Sequence, residues 1–240
     1  MKQLGLAPPA AAVALLLGLT GCGGDLTLPD PPATGLRLVV LQGNGQNGTV
    51  GQQLQDPVVV GLETDAGVPL PGRLVVFVPT GSTTGTFDPD TALTDAQGKA
   101  RTYWSLGTAP GPYTGEASLI PPSDSAKPVA FGAAATAGAP DSVRAGSATL
   151  QSGHRGEPVD EPPTVVVVDR YGNPVSGVAV SWHVETGNGE LSPAEGTVTD
   201  AAGRSSVTWT LGSRIGVQQA TAEVQAVIGS PVTFWATVSF

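Results

Sequence analysis

Apolar and polar residues alternate along short stretches of the chain, and Gly, Pro, Asn or Asp separates one stretch from the next. In residues 99–106, the side chains at every second position are apolar or small: Ala100, Thr102, Trp104 and Leu106. A period of two predicts a strand with these side chains toward a core and Tyr103 toward water. Residues 178–184 and 205–211 show the same pattern and place Trp182 and Trp209 on apolar faces.

One segment of this pattern occurs twice. Residues 94–107 (TDAQGKARTYWSLG) return 105 positions later as residues 199–212 (TDAAGRSSVTWTLG), with seven of fourteen positions identical. Chance would give about one identity. The same spacing relates Trp182 to Phe77, so the sequence predicts two copies of one unit. We predict domain 1 at residues 36–136 and domain 2 at residues 137–240, with the linker within residues 134–140.

Composition favours an all-β fold for both units. The chain contains 33 Gly and 22 Pro, only 13 % of its residues are charged, and Val and Thr are concentrated in the apolar runs. Disorder is the alternative that such a composition raises, but regularly recurring alternation argues against it. Large aromatic residues on the apolar faces predict the centre of each core, which is Phe77 and Trp104 in domain 1 and Trp182 and Trp209 in domain 2.

The N-terminus predicts secretion. Lys2 precedes an apolar run at residues 10–19 that is too short to span a bilayer comfortably. Residues 19–22 (LTGC) resemble the lipobox of bacterial lipoproteins. The resemblance implies a signal peptide at residues 1–21, lipid on the sulfur of Cys22 and an acylated amino group there. Gly23 rather than Asp follows the cysteine, which implies delivery to the outer membrane.

Residues 22–35 then form a Pro-rich tether between the lipid and domain 1. Several acyl chains anchor a protein stably where one chain does not. The sequence therefore predicts a cell-envelope protein whose contact with the membrane is made through Cys22.

Charge and cysteine content exclude several classes of function. The net charge is −9, and the eleven Lys and Arg residues are scattered singly. Nucleic acid is therefore not an expected partner, because phosphate binding needs clustered cations. One cysteine permits no disulfide within the chain and no zinc site of Cys and His ligands.

Residues that could support catalysis or bind a metal are few. Hydrolase triads need a base beside a nucleophile, and the only histidines are His154, predicted in a Gly-flanked loop, and His183, on an outward strand position. We therefore predict no enzyme and no cofactor. Calcium remains open at two groups of neighbouring carboxylates, because calcium needs only clustered oxygens. These groups are Asp88, Asp90 and Asp95, and Glu157, Asp160 and Glu161.

Two segments in domain 1 leave other questions open. Residues 43–48 (GNGQNG) read as a turn cluster, and no phosphate-binding motif follows them. Residues 74–78 (LVVFV) predict a strand that is apolar on both faces. Its outward face is either covered by a neighbouring loop or exposed for a partner, and we expect the loop.

Domain 2 carries motifs that resemble a known family. They are residues 169–177 (DRYGNPVSG), residues 180–182 (VSW) and residues 199–203 (TDAAG). In this order they are similar to the bacterial Ig-like domain of intimins and invasins. Domain 1 matches less well, since Gly67-Val68-Pro69 stands in place of Gly-Asn-Pro.

The resemblance implies two tandem Ig-like β-sandwiches that act as a surface spacer or as an adhesion and interaction module for a protein or glycan partner. A carbohydrate-binding module is the alternative, because Tyr103 is expected on an outward strand position and Gly/Thr-rich loops surround the strands.

Overall fold

The computed structural model describes residues 35–194 and 196–240, which form strands and loops without a helix. The fold is all-β, as the sequence predicts. Within these residues there is no helix that is long and apolar enough to cross a membrane. The predicted signal peptide, Cys22 and nearly all of the tether lie outside the described residues.

Domain 1 consists of nine strands, whose bounds are β1 (Leu36–Gln42), β2 (Gln46–Thr49), β3 (Val58–Thr64), β4 (Leu74–Thr80), β5 (Thr86–Asp88), β6 (Thr91–Leu93), β7 (Lys99–Ser105), β8 (Gly111–Ile120) and β9 (Val129–Thr136). They form one sheet in the order β1-β3-β7-β5 and a second in the order β2-β9-β8-β4-β6. The N-terminal strands β1 and β2 therefore belong to different sheets. β1 pairs antiparallel with β3, and β2 pairs parallel with β9.

Domain 2 repeats this order with the strands β10 (Ser142–Ala145), β11 (Leu150–His154), β12 (Thr164–Val168), β13 (Ala179–Thr186), β14 (Glu190–Ser192), β15 (Thr197–Val198), β16 (Arg204–Ser206), β17 (Thr208–Thr210), β18 (Gly216–Glu223) and β19 (Val232–Ser239). Its larger sheet runs β11-β19-β18-β13-β15. On the other face β10-β12-β16 and β14-β17 correspond to the four-stranded sheet of domain 1, with β7 divided into β16 and β17. From β3 to β8, residue i of domain 1 corresponds to residue i+105 of domain 2, except at β5 and β14, where the offset is 104 because Phe87 lies opposite Trp104 and Leu191 lies opposite Trp209.

Each domain has its own core between its two sheets. In domain 1 the Trp104 ring lies 5.0 Å from the Phe87 ring and 5.5 Å from the Phe131 ring, measured between centroids. In domain 2 the Trp182 ring lies 5.8 Å from that of Phe234. Phe77, Trp104, Trp182 and Trp209 are all buried. The residues of one core cluster all lie within 36–135 and those of the other within 143–238, so each core is closed by its own strands.

The identical residues of the repeat make the same hydrogen bonds in both copies. The hydroxyl of Thr94 donates to Leu70 O at 2.7 Å, and the hydroxyl of Thr199 donates to Val175 O at 2.7 Å. One carboxylate oxygen of Asp95 accepts backbone N–H bonds from Gln97 and Lys99, both at 2.9 Å.

Asp200 accepts the matching pair from Ala202 and Arg204. Gly98 and Gly203 adopt positive φ, and a Cβ there would lie 2.6 Å from Leu62 O and 2.5 Å from Val167 O, respectively. The repeat is therefore a turn that starts a core strand.

Three details differ from the sequence predictions. Residues 46–48, predicted as part of a turn cluster, belong to β2, whose backbone pairs with β9. β9 continues to Thr136, so only residues 137–141 connect the domains. His154 is the last residue of β11 rather than a loop residue. Each difference involves a strand that pairs through its backbone without apolar alternation of its own.

Candidate functional site

The structure does not gather the candidate catalytic or metal-binding residues into one site. The described residues contain no group of three or more His, Cys, Asp or Glu side chains that could hold a metal ion. Asp95 uses its carboxylate in its own turn, and Glu161 accepts the backbone N–H of Ala148 at 3.0 Å. His183 is exposed on β13, and His154 Nδ1 lies 2.7 Å from Phe240 O. This arrangement gives no support to the calcium hypothesis or to a triad.

The outward face of the larger sheet of domain 1 exposes an apolar strip, which consists of Leu74, Val76, Val78, Leu93 and Ile120. Leu74 on β4 lies directly between Leu93 on β6 and Ile120 on β8. Val76 and Val78 continue the strip along β4, while Val75 and Phe77 point into the core. The three strands thus place five apolar side chains on one solvent-facing surface.

The prediction that a loop covers this face of β4 is wrong for the described residues. Val78 is 46 % exposed, Ile120 is 45 % exposed and Leu93 is 65 % exposed. Leu74 and Val76 are half-buried. Contiguous exposed apolar surface of this kind is typical of interaction sites.

Domain 2 shows that the fold does not require this strip. Ala179, Ser181, His183 and Val198 lie at the matching strand positions, and Gln225, which is 105 residues after Ile120, lies in the turn that follows β18. Only one of the five is a large apolar residue, and all five are exposed. Because both domains have the same strand order, the apolar character of the strip is a property of domain 1 alone.

Two exposed aromatic side chains lie on other sheet faces. Tyr103 on β7 is 40 % exposed, as expected from the strand pattern. Trp235 on β19 is 39 % exposed and lies directly opposite Gln219 on β18. Domain 1 has Gly132 opposite Thr114 in the same register, so Trp235 is particular to domain 2. Trp235 was not predicted from the sequence, although alternation in the strand places it between the inward Phe234 and Ala236.

A buried carboxylate lies where the two domains meet. Asp169 follows β12 and is 2 % exposed. Its Oδ1 accepts the backbone N–H groups of Tyr171 at 2.8 Å and Asn173 at 2.9 Å. Its Oδ2 accepts the backbone N–H of Gly138 in the linker at 2.8 Å and the Asn173 side-chain amide at 2.9 Å. The carboxylate thus connects its own loop with the interdomain linker.

These hydrogen bonds determine the ionisation of Asp169. Burial alone raises the pKa of this carboxyl, since it penalises the charged form. The side-chain hydrogen bond from Asn173 and the backbone hydrogen bonds from Gly138, Asn173 and Tyr171 act in the opposite direction and outweigh burial. The net result is a pKa below the ordinary value of an aspartate.

The same loop also reaches domain 1. The amide Nδ2 of Asn173 donates to Thr108 O at 2.8 Å. The ring of Tyr171 lies against Gly51, so closely that a Cβ on Gly51 would overlap its hydroxyl end. Clefts of about 270 Å³ and about 460 Å³ flank this junction.

The comparison with known families now identifies the domains. Residues 162–237 match the model of the bacterial Ig-like domain (group 1). Domain 2 is a bacterial Ig-like domain. Domain 1 has the same strands in the same order, so the prediction of tandem bacterial Ig-like domains is confirmed. No curated protein matches the chain in sequence.

Solved structures with a similar fold include an adhesin. The Escherichia coli adhesin FdeC aligns with 17 % identity and a TM-score of 0.50 over 85 % of this chain and 64 % of its own. Yersinia pseudotuberculosis InvD aligns with 17 % identity and a TM-score of 0.48 over 86 % and 58 % of the two chains. The D00-D0 domain of intimin aligns with 16 % identity and a TM-score of 0.41 over 85 % of this chain and all of its own. The chain thus spans less than two thirds of the FdeC and InvD chains.

Proposed function

We propose that this chain is a non-enzymatic lipoprotein of the bacterial cell envelope, anchored in the outer membrane through Cys22. Its two Ig-like domains hold an interaction surface away from the lipid and present it to a protein partner. The Pro-rich residues 22–35 serve as the tether between the anchor and domain 1. FdeC, whose solved structure shares the fold, is described as an adhesin, which is consistent with an adhesion or interaction role.

The observation that carries the interaction role is the apolar strip of domain 1. Exposed Val and Leu side chains lower solubility, and domain 2 folds in the same way with small or polar residues at most of these positions. Apolar side chains gain free energy when a partner removes them from water, at about 25 cal/mol per Å². The five residues of the strip are uncharged, and Ser118 and Glu116 on β8 lie opposite Val76 and Val78 on the same face. A protein surface that combines apolar groups with a few polar ones therefore matches this face better than a highly charged partner.

The anchor is tested by labelling cells with radioactive palmitate. We expect the full chain to take up label and to fractionate with the outer membrane, and Cys22→Ala to lose both properties because its sulfur attachment point is gone. Equal labelling of the two proteins would remove the anchor from the proposal. The Ig-like domains are untouched by this substitution, so a folded but released protein is the expected form of the variant.

The strip is tested by giving domain 1 the side chains of domain 2. The variant Val76→Ser with Val78→His carries the residues found at Ser181 and His183. We expect capture of a strip-dependent envelope protein by this variant to fall about ten-fold or more, because burial of a Val side chain contributes about 1.5–3 kcal/mol. Capture is measured by cross-linking envelope extracts to each form of the soluble fragment 35–240, followed by mass spectrometry.

Recovery of every partner at wild-type levels would contradict a role for the strip. A glycan partner is the second candidate, favoured by the exposed rings of Tyr103 and Trp235. It is distinguished in the same experiment, because capture would then be lost when the extract is deglycosylated and retained by the Val76→Ser, Val78→His variant.

A further inference from the structure

The loop at residues 169–173 and its counterpart at residues 64–68 make the same turn. Asp169 N donates to Asn173 O at 2.9 Å, and Thr64 N donates to Val68 O at 2.9 Å. The positive-φ glycine donates back to the first residue in both loops, at 2.9 Å and 2.8 Å. Domain 1 makes this turn with Thr, Ala and Val where domain 2 has Asp, Tyr and Asn. The backbone turn therefore forms without those three side chains, and at its first position the hydroxyl of Thr64 accepts the N–H of Val68 at 3.2 Å where Asp169 accepts that of Asn173.

In domain 2 these side chains are directed at the junction. The side-chain amide of Asn173 donates one bond to Thr108 O in domain 1 and another to the carboxylate of Asp169. Asp169 in turn holds Gly138, and Tyr171 occupies the space beside Gly51. One loop of domain 2 is thus connected to both the linker and domain 1.

The linker is short and is held by hydrogen bonds at both ends. Residues 137–141 connect Thr136 at the end of β9 with Ser142 at the start of β10. Thr136 O accepts the N–H of Val50 at 3.0 Å on the domain 1 side. Asp141 N donates to Val168 O at 2.9 Å on the domain 2 side. Gly138, between these two points, is held by Asp169 at 2.8 Å.

We propose that Asp169, Tyr171 and Asn173 form a clamp that fixes the angle between the two domains, so that they move as one rigid body in solution. Domains with small polar interfaces ordinarily move relative to each other. Here a buried carboxylate supplies charge-assisted hydrogen bonds, which are stronger than neutral ones. The clamp rests on the proposed function only for its purpose, which is to keep the presented surface at a set distance and direction from the tether.

The clamp is tested by pulsed electron paramagnetic resonance on fragment 35–240, which contains all residues of both cores. Spin labels are attached at Arg101→Cys and Ser206→Cys, two exposed and equivalent strand positions, and the only native cysteine, Cys22, is outside the fragment. We expect one narrow distance distribution for the otherwise unchanged protein. The double substitution Tyr171→Ala with Asn173→Ala should lose this single narrow peak.

A second substitution disturbs the junction from the domain 1 side and has a matched control. Gly51→Ala places a methyl group against Tyr171, whereas Gly156, its counterpart in domain 2, has open space at that position. Both glycines have positive φ, +69° and +77°, so the two substitutions impose similar backbone strain. We expect Gly51→Ala to broaden the distance distribution and Gly156→Ala to leave it unchanged.

A broad distribution in the unsubstituted fragment would overturn the clamp. So would a narrow distribution in both junction variants when circular dichroism shows that their domains remain folded. Because no partner or membrane is present, these outcomes are independent of the capture and labelling experiments. The clamp and the proposed function can therefore fail separately.

Discussion

Trp209→Ala is expected to destabilise domain 2 by about 3–5 kcal/mol, the usual effect of removing a large buried aromatic side chain. Trp209 on β17 is fully buried, and its strand pairs with β14 through Leu191. Removal of the indole leaves a cavity between the sheets that the surrounding strands fill only in part. For a domain of this size we expect the melting temperature of domain 2 to fall by at least about 12 °C.

Scanning calorimetry of fragment 35–240 measures this effect, and Trp235→Ala is the matched control. It removes the same side chain from an exposed position of the same domain, so its effect should be much smaller. Trp209→Phe should also cost less than Trp209→Ala, since the indole N–H has no hydrogen-bond partner among the described residues. A fall in the melting temperature of only one or two degrees for Trp209→Ala would contradict the inward orientation of Trp209.

Asp169→Asn is expected to destabilise domain 2 by about 1.5–3 kcal/mol, the range for hydrogen bonds to a charged group. The carboxylate accepts four hydrogen bonds from N–H donors, and an asparagine amide would turn its own N–H₂ toward two of them. Urea denaturation measured on domain 2 fluorescence would detect this change. Thr64→Ala, at the matching position of domain 1, is the control and should leave domain 2 unaffected.

The destabilisation caused by Asp169→Asn is expected to depend on pH. The folded-state pKa of Asp169 lies below its value in the unfolded chain, so its stabilisation is present above the unfolded value of about 3.9. That stabilisation is lost as the pH falls through the lower folded-state pKa. Asp141 and Arg170 line the same cleft and remain in both proteins. We expect the stability difference between wild type and Asp169→Asn to shrink as the pH is lowered below about 4, and a constant difference would contradict the assignment.

Periodicity was sufficient to place the core strands. Alternation in residues 99–106 predicted that Trp104 is buried and Tyr103 exposed, and the structure shows both orientations. The turn of the repeat is also set locally, because it consists of side-chain hydrogen bonds to Asp95 and a positive-φ glycine at residue 98. β2 and β11 were missed, since their pairing with β9 and β19 depends on backbone groups that are distant in sequence.

The interaction surface and the junction were harder to predict. The sequence showed that residues 74–78 are apolar on both faces, but it could not show whether a loop covers the outward side. Similarly, Asp169 and Asn173 were visible as members of a motif, while their bonds to Gly138 and Thr108 depend on how domain 1 is placed. Both questions concern contacts between segments that are distant in sequence, and the spacing of apolar residues does not show which distant segments come together.

The sequence by itself determined the duplication, the all-β class and the inward phase of the strands around Trp104 and Trp209, because these follow from local spacing and from alternation with a period of two. Only the tertiary structure decided that Val78 remains exposed and that Asp169 meets the linker. Exposure and hydrogen bonding at these residues are set by the neighbours that folding brings to them, and the two copies of one unit meet different neighbours at equivalent positions.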